Sequence, residues 1–190
     1  MSGATIAPSD YATPTPADGD PLFEVVNGKT VGKPPLGVYP TWIAVILTRH
    51  LGNFADAHEL GRAVCEMLFD LNPPDQSQRR PDVAFVSYER WPKRRKVPST
   101  NAWGVVPELA VEVVSPTTTA EAVLNKVLEY LEAGVRLVWV VYPNQHLVQV
   151  YESPTLIRVL RRDDQLDGGR ILPGFQLTLA TLFEDDAVAD

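Results

Sequence analysis

The sequence has little cysteine and histidine, and this excludes several classes of protein. Its single cysteine, Cys65, excludes an internal disulfide and a cysteine-rich zinc cluster. The chain has three histidines, and none of them stands at the short spacing from another histidine or from Cys65 that zinc sites use. One cysteine in 190 residues suits a reducing compartment, so we expect a cytoplasmic protein.

Long apolar runs and an excess of basic residues are also absent from the sequence. No stretch of about 18 apolar residues could span a membrane, and no charged segment followed by an apolar one begins the chain. We therefore expect no membrane partner. The 17 basic and 24 acidic residues give a net charge of −7, which argues against broad, non-specific binding to nucleic acid. A nuclease remains compatible with this charge, because its metal site is acidic and its basic surface can be local.

The length of the chain suits one globular domain with a proper core and is too short for two. Residues 1–20 are rich in proline, glycine, serine and threonine, which predicts a disordered N-terminal tail. We predict a single domain over residues 21–184, followed by an acidic tail over residues 185–190.

Apolar periodicity predicts helices over residues 41–57 and 119–133. Strand, helix and strand from 108 to 142 are joined by short links and predict a βαβ crossover in an α/β fold. A hairpin is expected around Asn27 and Gly28, and a ribbon between residues 157–160 and 168–172. The remaining strands are predicted within 61–71, as one strand or two short ones, and over 81–87 and 146–151.

The stretch from Glu108 to Pro116 is unusual because a carboxylate, Glu112, stands in the middle of an apolar strand. Ala110, Glu112 and Val114 share one face of this strand, so the carboxylate has small apolar neighbours. Burying an unpaired charge costs several kcal/mol. The compensating partner is either a metal ion or a structural salt bridge, and the residues alone leave both open.

Three chemistry-bearing residues follow one another in the chain: Asp82 at the start of a short apolar strand, Glu112 in a later strand, and Lys126 on the following helix. Two carboxylates on adjacent strands can hold Mg²⁺, with a backbone carbonyl, water and a substrate phosphate as its other ligands. Such a metal activates water and neutralises charge on a phosphate. A nearby lysine would orient that water or stabilise the transition state.

These motifs together resemble the Uma-type restriction-endonuclease-like proteins, a bacterial group of the PD-(D/E)xK nuclease superfamily. The resemblance implies a restriction-endonuclease-like α/β fold, with a mixed central β-sheet flanked by helices. It also implies a Mg²⁺-dependent endonuclease acting on DNA, with Mn²⁺ as a substitute metal. The matching segments are residues 22–28, 80–87, 107–116, 133–135 and 172–175, with Lys126 and Tyr130 between them.

The resemblance assigns a role to each residue of the motifs. Asp82 matches the aspartate of the PD element, Glu112 matches the second acidic ligand, and Val113 would offer its backbone carbonyl to the metal. The superfamily usually places its lysine two residues after the glutamate, where this chain has Val114. The Uma-type group resembles this chain in moving the lysine to the next helix, where Lys126 stands.

Further residues have supporting roles by the same resemblance. Glu24 matches an acidic position of the first strand and would assist the site, while an exposed strand charge is the alternative. Tyr130 follows Lys126 by four residues and shares its flank of the helix, and Ser115 is a second supporting residue. The group often has a histidine before its first long helix, where this chain has residues 39–41, Tyr-Pro-Thr. No role for that histidine is expected.

The only dense basic run of this acidic chain is Lys93, Arg94, Arg95 and Lys96, within a long irregular segment. One interpretation is a solvated loop. The other is a loop that faces nucleic-acid phosphates, with Trp91 or Trp103 as stacking partners.

Three functions are compatible with the sequence. The first is a metal-dependent nuclease that takes DNA as its substrate, and such proteins often form homodimers. The second is an inactive nuclease fold that serves as a nucleic-acid- or protein-binding module, which Val114 and the net charge of −7 favour. The third is an accessory factor that cuts only together with a partner.

Overall fold

The structure, a computed structural model, describes residues 22–71, 77–116 and 118–183. The predicted tails, residues 1–20 and 185–190, lie outside these ranges. In chain order the elements are β1 (Phe23–Val26), β2 (Lys29–Gly32), α1 (Val38–Ala57), β3 (Gly61–Cys65), β4 (Phe69–Asp70), β5 (Gln78–Arg79), β6 (Val83–Ser87), β7 (Leu109–Val113), α2 (Ala120–Glu132), β8 (Leu137–Tyr142), β9 (Leu147–Ser153), β10 (Leu156–Leu160), β11 (Gln165–Gly168), β12 (Leu172–Thr178) and α3 (Leu179–Leu182).

A six-stranded mixed sheet forms the centre of the fold, in the order β10-β9-β8-β7-β6-β3. Strands β7 and β8 are parallel and are joined through α2, which confirms the predicted βαβ crossover. The other neighbouring strands of this sheet are antiparallel. The predicted α/β fold with a mixed central sheet is therefore confirmed.

The two faces of the central sheet are covered by different helices. Leu109, Val111 and Val113 of β7 point to one face and pack in a core with α1. Ala110 points to the opposite face and packs in a second core with α2. Because β8 lies between these two cores, all of its residues up to Val141 are buried, as its continuous apolar sequence predicts. Among the described residues, no helix has the length and apolar character needed to cross a membrane.

A smaller sheet, in the order β2-β1-β5-β4, stands beside the central one. Its β1–β2 hairpin turns at Asn27 and Gly28, which both have positive φ, as the predicted turn requires. Strand β5 leads through Arg80 and Pro81 directly into β6 of the central sheet. The small sheet is thus joined to the central sheet at the start of β6, where Asp82 lies.

Two sequence predictions needed correction, and one alternative that the sequence left open is decided by the structure. Helix α1 begins at Val38 rather than at residue 41, because Pro40 is tolerated in the first turn, where its missing N–H is not needed. The segment 61–71 forms two short strands, which is one of the two alternatives predicted, and these strands belong to different sheets. Strand β10 pairs with β9 across a two-residue turn, so the predicted pairing with residues 168–172 is wrong, and β11 pairs with β12 instead.

Gly61 supplies a test of the packing between β3 and β6. A Cβ at this position would lie 2.3 Å from the backbone oxygen of Val86 and 2.7 Å from the ring of Phe85. We expect Gly61→Ala to lower the free energy of unfolding by about 1–3 kcal/mol, as overpacked cores do. Urea denaturation of the purified variant measures this change.

Gly52 in α1 is the matched control. A Cβ there would meet only the Cβ of Ala63, at the ordinary contact distance of 3.9 Å. Gly52→Ala should therefore raise the free energy of unfolding by about 0.5–1 kcal/mol, because alanine has the higher helix propensity. Equal changes in the two variants would contradict the close strand contact at Gly61.

Candidate active site

Asp82 and Glu112 lie beside one another at the junction of β6 and β7. The antiparallel register pairs Val83 with Val111, so Asp82, one residue earlier, stands opposite Glu112. The backbone N–H of Asp82 continues the ladder by donating to Val111 O at 3.0 Å. Both carboxylates are buried, with 1% of Asp82 and 8% of Glu112 exposed. The structure therefore brings together the two acidic residues that the sequence singled out.

Asp82 is fixed by one hydrogen bond to each carboxylate oxygen. Its Oδ2 accepts from the backbone N–H of Val113 at 2.6 Å. Its Oδ1 accepts from the ammonium of Lys33 at 2.7 Å. Burial raises the pKa of Asp82 above its ordinary value and outweighs the opposite effect of the Lys33 charge.

Glu112 is held from above by helix α2. Its Oε1 accepts from the hydroxyl of Tyr130 at 2.7 Å, and its Oε2 accepts from the ammonium of Lys126 at 3.1 Å. Burial is the main reason that the pKa of Glu112 is raised, and the negative charges of Asp82 and Glu24 raise it further against the effect of Lys126. The salt bridge that the sequence left open as a partner of Glu112 is thus present.

Tyr130 and Lys126 both stay protonated, so that each can donate a hydrogen bond to Glu112. Burial and the charge of Glu112 raise the pKa of Tyr130 well above its ordinary value, so its hydroxyl stays a donor. Burial alone would lower the pKa of Lys126, but the charges of Glu112 and Glu24 raise it, so this side chain stays a cation. Ser115, the other supporting residue predicted, hydrogen-bonds Thr118 Oγ1 at 2.8 Å just before α2.

Glu24 is buried in the small sheet, so the alternative of an exposed strand charge is wrong. Its Oε1 accepts from Lys126 at 3.0 Å and from the backbone N–H of Arg80 at 3.0 Å. Its Oε2 accepts from Arg79 at 2.9 Å. Although burial opposes them, these contacts lower the pKa of Glu24, with Lys126 contributing most. Glu24 therefore joins the predicted site through Lys126.

Sequence reasoning missed two basic residues of this cluster. Lys33 follows β2 and binds both Asp82 and Glu66, the latter at 2.8 Å. Arg79 lies in β5 and places its guanidinium between Glu24 and Glu129. No local pattern marks Lys33. The position of Arg79 three residues before Asp82 was the one available signal.

The basic run from Lys93 to Lys96 lies beyond the far end of β6 from Asp82. Five residues of extended strand, about 17 Å, separate Asp82 from the end of that strand. All four basic residues are exposed, although Lys93 pairs with Glu59 at 2.5 Å. Trp91 and Trp103 are buried at 6% and 2% exposure, so the predicted stacking of bases on them is not supported.

The donor set around Asp82 and Glu112 suits one hard divalent cation. Within the described ranges, no three acidic, histidine or cysteine side chains converge to form a metal site by themselves. Mg²⁺ does not require this, because it is usually bound through one or two carboxylates, with water and phosphate oxygens as its other ligands. Each oxygen of the two carboxylates accepts one of the hydrogen bonds given above, and each has a second lone pair. Two-carboxylate binding of Mg²⁺ is therefore compatible with this site.

An open groove of about 420 Å³ lies between the β1–β2 turn and helix α2. Lys126 lies in its wall, and 19% of this side chain is exposed. Asp82 and Glu112 do not line this groove, whereas the carboxylates of Glu129 and Glu132 do. The other residues that line the groove are Val26, Asn27, Arg79, Ala122, Asn125 and Leu128.

Comparison with solved structures shows which fold the chain shares with other proteins. A crystal structure described as "a putative nuclease belonging to DUF820" from Anabaena variabilis is similar to this chain with a TM-score of 0.76. The two chains are 20% identical, and the match covers 86% of this chain and 90% of the other. This similarity shows a shared fold, which confirms the predicted restriction-endonuclease-like architecture.

Comparison of the sequence with protein families is more specific. Residues 9–180 match the Uma2 family, described as "Putative restriction endonuclease". The chain belongs to the Uma2 family, and the predicted resemblance is confirmed. None of the curated proteins matches the sequence.

The raised pKa of Glu112 predicts how metal-free stability depends on pH. A carboxyl group whose folded pKa is raised stabilises the fold fully below its unfolded value of 4.5 and loses this contribution as the pH rises through the folded pKa. The free energy of unfolding of the wild type, relative to Glu112→Gln, should therefore fall as the pH rises above the unfolded value of 4.5. Denaturant titrations in EDTA at a series of pH values measure the difference.

Glu59→Gln is the control for this measurement. Glu59 is exposed, and its hydrogen bond from Lys93 lowers its pKa. The stabilisation that Glu59 contributes is present above pH 4.5 and lost at lower pH. The free energy of unfolding of the wild type, relative to Glu59→Gln, should therefore not fall as the pH rises. A difference between wild type and Glu112→Gln that stays flat or grows with pH would contradict the raised pKa.

Proposed function

We propose that this protein is a Mg²⁺-dependent endonuclease that hydrolyses phosphodiester bonds in DNA, with Mn²⁺ as a substitute metal. The observation that carries the proposal is the buried pair of Asp82 and Glu112 on adjacent strands, with Lys126 bound to Glu112. Membership of the family described as "Putative restriction endonuclease" supports nucleic acid as the substrate.

In this proposal Asp82 and Glu112 are the metal ligands, and the backbone carbonyl of Val113 is a third. Mg²⁺ bound there would supply an activated water and neutralise charge on the scissile phosphate. The N–H of Val113 orients the carboxylate of Asp82, and the hydroxyl of Tyr130 orients that of Glu112. Both carboxylates are therefore held in place before a ligand arrives, as an efficient site requires.

Lys126 is the electrostatic residue of the proposed site. Its raised pKa keeps it charged, so it acts through its positive charge and its N–H donors rather than by removing a proton. Its position at the groove wall would let it orient the attacking water or stabilise the phosphate in the transition state. Glu24 holds the ammonium of Lys126 at 3.0 Å and, as a carboxylate of lowered pKa, remains an acceptor that can assist.

DNA would be anchored partly by the exposed run of Lys93, Arg94, Arg95 and Lys96. Such a local basic surface allows a protein of net charge −7 to bind a polyanion. A homodimer would supply two active sites for the two strands of a duplex. The single free thiol of Cys65 supports a cytoplasmic location as part of the same proposal.

Cleavage of supercoiled plasmid by the purified protein tests the proposal. We expect nicked or linear product with Mg²⁺ or Mn²⁺, and none with EDTA. Glu112→Ala should abolish cleavage, and Lys126→Met should lower its rate about 10²-fold or more, as the loss of a transition-state donor does. Glu121→Gln, an exposed glutamate in the first turn of α2, is the control that should retain activity.

Thermal denaturation in Mg²⁺ or Mn²⁺ separates the alternatives when no cleavage is seen. A metal that binds only the folded state raises the melting temperature. Metal binding without cleavage would indicate a required partner or a specific DNA site. The absence of both cleavage and metal binding would contradict the proposal and favour an inactive nuclease fold that acts as a binding module.

The basic run gives a separate prediction about DNA affinity. Arg94→Glu with Lys96→Glu should weaken binding of duplex DNA, and the log–log slope of its affinity against salt should become shallower by about 0.9 for each phosphate that the variant no longer neutralises. Fluorescence anisotropy at several salt concentrations measures this slope. The solvated-loop interpretation predicts the same slope as a control variant with Lys29→Glu, an exposed lysine of β2.

A further inference from the structure

Lys33 is a second lysine at the acidic pair, and the proposed chemistry does not use it. Its ammonium lies 2.7 Å from Asp82 Oδ1 and 2.8 Å from Glu66 Oε2. Only 7% of the residue is exposed, and its backbone N–H is fixed by Leu22 O at 2.6 Å. A lysine buried this deeply between two carboxylates is placed by the fold rather than left at the surface.

Glu66, the other partner of Lys33, is itself held in an uncommon conformation. Its φ of +50° lies in the left-handed region, which residues with a side chain seldom adopt. Its backbone N–H donates to Asp82 O at 3.2 Å, and its carbonyl accepts from the guanidinium of Arg80. The backbone of Glu66 is thus tied to Asp82, while its side chain is one-third exposed and can follow the lysine.

We propose that Lys33 is a resident cation of the metal site, which sets the metal affinity of the proposed nuclease. It neutralises Asp82 while no divalent cation is bound, and it competes with the metal for Asp82 Oδ1. When the metal binds, the ammonium shifts towards Glu66. This inference rests on the proposed function and adds that a residue of the chain itself limits how tightly the metal is held.

The competition follows from how Asp82 is already bonded. Its Oδ2 accepts from the backbone N–H of Val113, and its Oδ1 accepts from the ammonium of Lys33, so a metal that binds through Oδ1 would share that oxygen with Lys33. Mg²⁺ binds carboxylate oxygen at about 2.1 Å, so a metal and an ammonium on the same oxygen would repel each other strongly. Glu66 gives the ammonium a second anchor that it already contacts.

Isothermal titration of metal-free, full-length protein with Mn²⁺ and with Mg²⁺ tests this inference. Lys33→Met should tighten binding at least about tenfold, because a buried positive charge next to the metal is removed. The double variant Lys33→Met/Glu66→Gln removes one charge of each sign and keeps the net charge of the wild type. If the double variant shows the same gain in metal affinity as Lys33→Met, the gain comes from freeing Asp82 Oδ1 rather than from a change in net charge.

Two further variants complete the experiment. Lys29→Met removes an exposed lysine from β2 and should leave metal affinity unchanged. Lys33→Arg keeps the cation on Asp82 and should bind metal no more tightly than the wild type does. Because Lys33→Met leaves Asp82 without its charged partner, its metal-free melting temperature should fall and then recover with Mn²⁺.

The outcomes separate this inference from the proposed function. If the wild type binds metal, and if Lys33→Met and the double variant bind it with equal or weaker affinity, the inference is overturned and the proposed function is not. Binding only after Lys33 is replaced would support the inference and contradict the proposed function of the native chain. No metal binding in any variant would overturn both. If neither methionine variant folds, tighter binding by Lys33→Arg would overturn the inference.

Discussion

The rest of the site depends on the burial of two carboxylates at one place in the central sheet. Strand pairing fixes Asp82 opposite Glu112, and an uncompensated charge in such a position costs several kcal/mol. The compensating charges come from two separate elements, because Lys33 follows the β1–β2 hairpin and Lys126 lies on α2. The positions of the hairpin and of the helix on the sheet are therefore linked to the same acidic pair.

The charge network continues outward from this pair and remains short of positive charge. Lys126 connects Glu112 to Glu24, and Arg79 connects Glu24 to Glu129 on α2. Each link is supported by its neighbours, so the small sheet and α2 are joined by ion pairs as well as by apolar packing. The network contains five acidic and four basic side chains, and this excess of negative charge suits a cation site. The acidic residues are Glu24, Glu66, Asp82, Glu112 and Glu129, and the basic residues are Lys33, Arg79, Arg80 and Lys126.

The sequence predicted the parts of the fold and of the site that are encoded locally. The βαβ unit was readable because periodicity and helix-end signals agree there. Asp82, Glu112 and Lys126 were readable because they are charged residues at predicted strand and helix positions, in the order of the motifs that the chain resembles. The role of Lys33 could not be predicted, because it contacts Asp82 across 49 residues and no pattern in the nearby sequence marks that contact. The partner of β10 was also misjudged, since an alternating strand at a sheet edge can pair with either neighbour until the register is known.

Val114 stands at the position where the superfamily usually has its lysine, and in this chain Lys126 brings a positive charge to Glu112 from another element. Alternate residues of a strand share a face, so a lysine two residues after Glu112 would reach the same side of the sheet as that carboxylate. Lys126 reaches Glu112 from the helix above this face, at 3.1 Å, while Val114 packs with the apolar residues beneath α2. If the lysine acts through its charge, the position of the ammonium matters and its place in the sequence does not. Val114 is therefore weak evidence for an inactive fold.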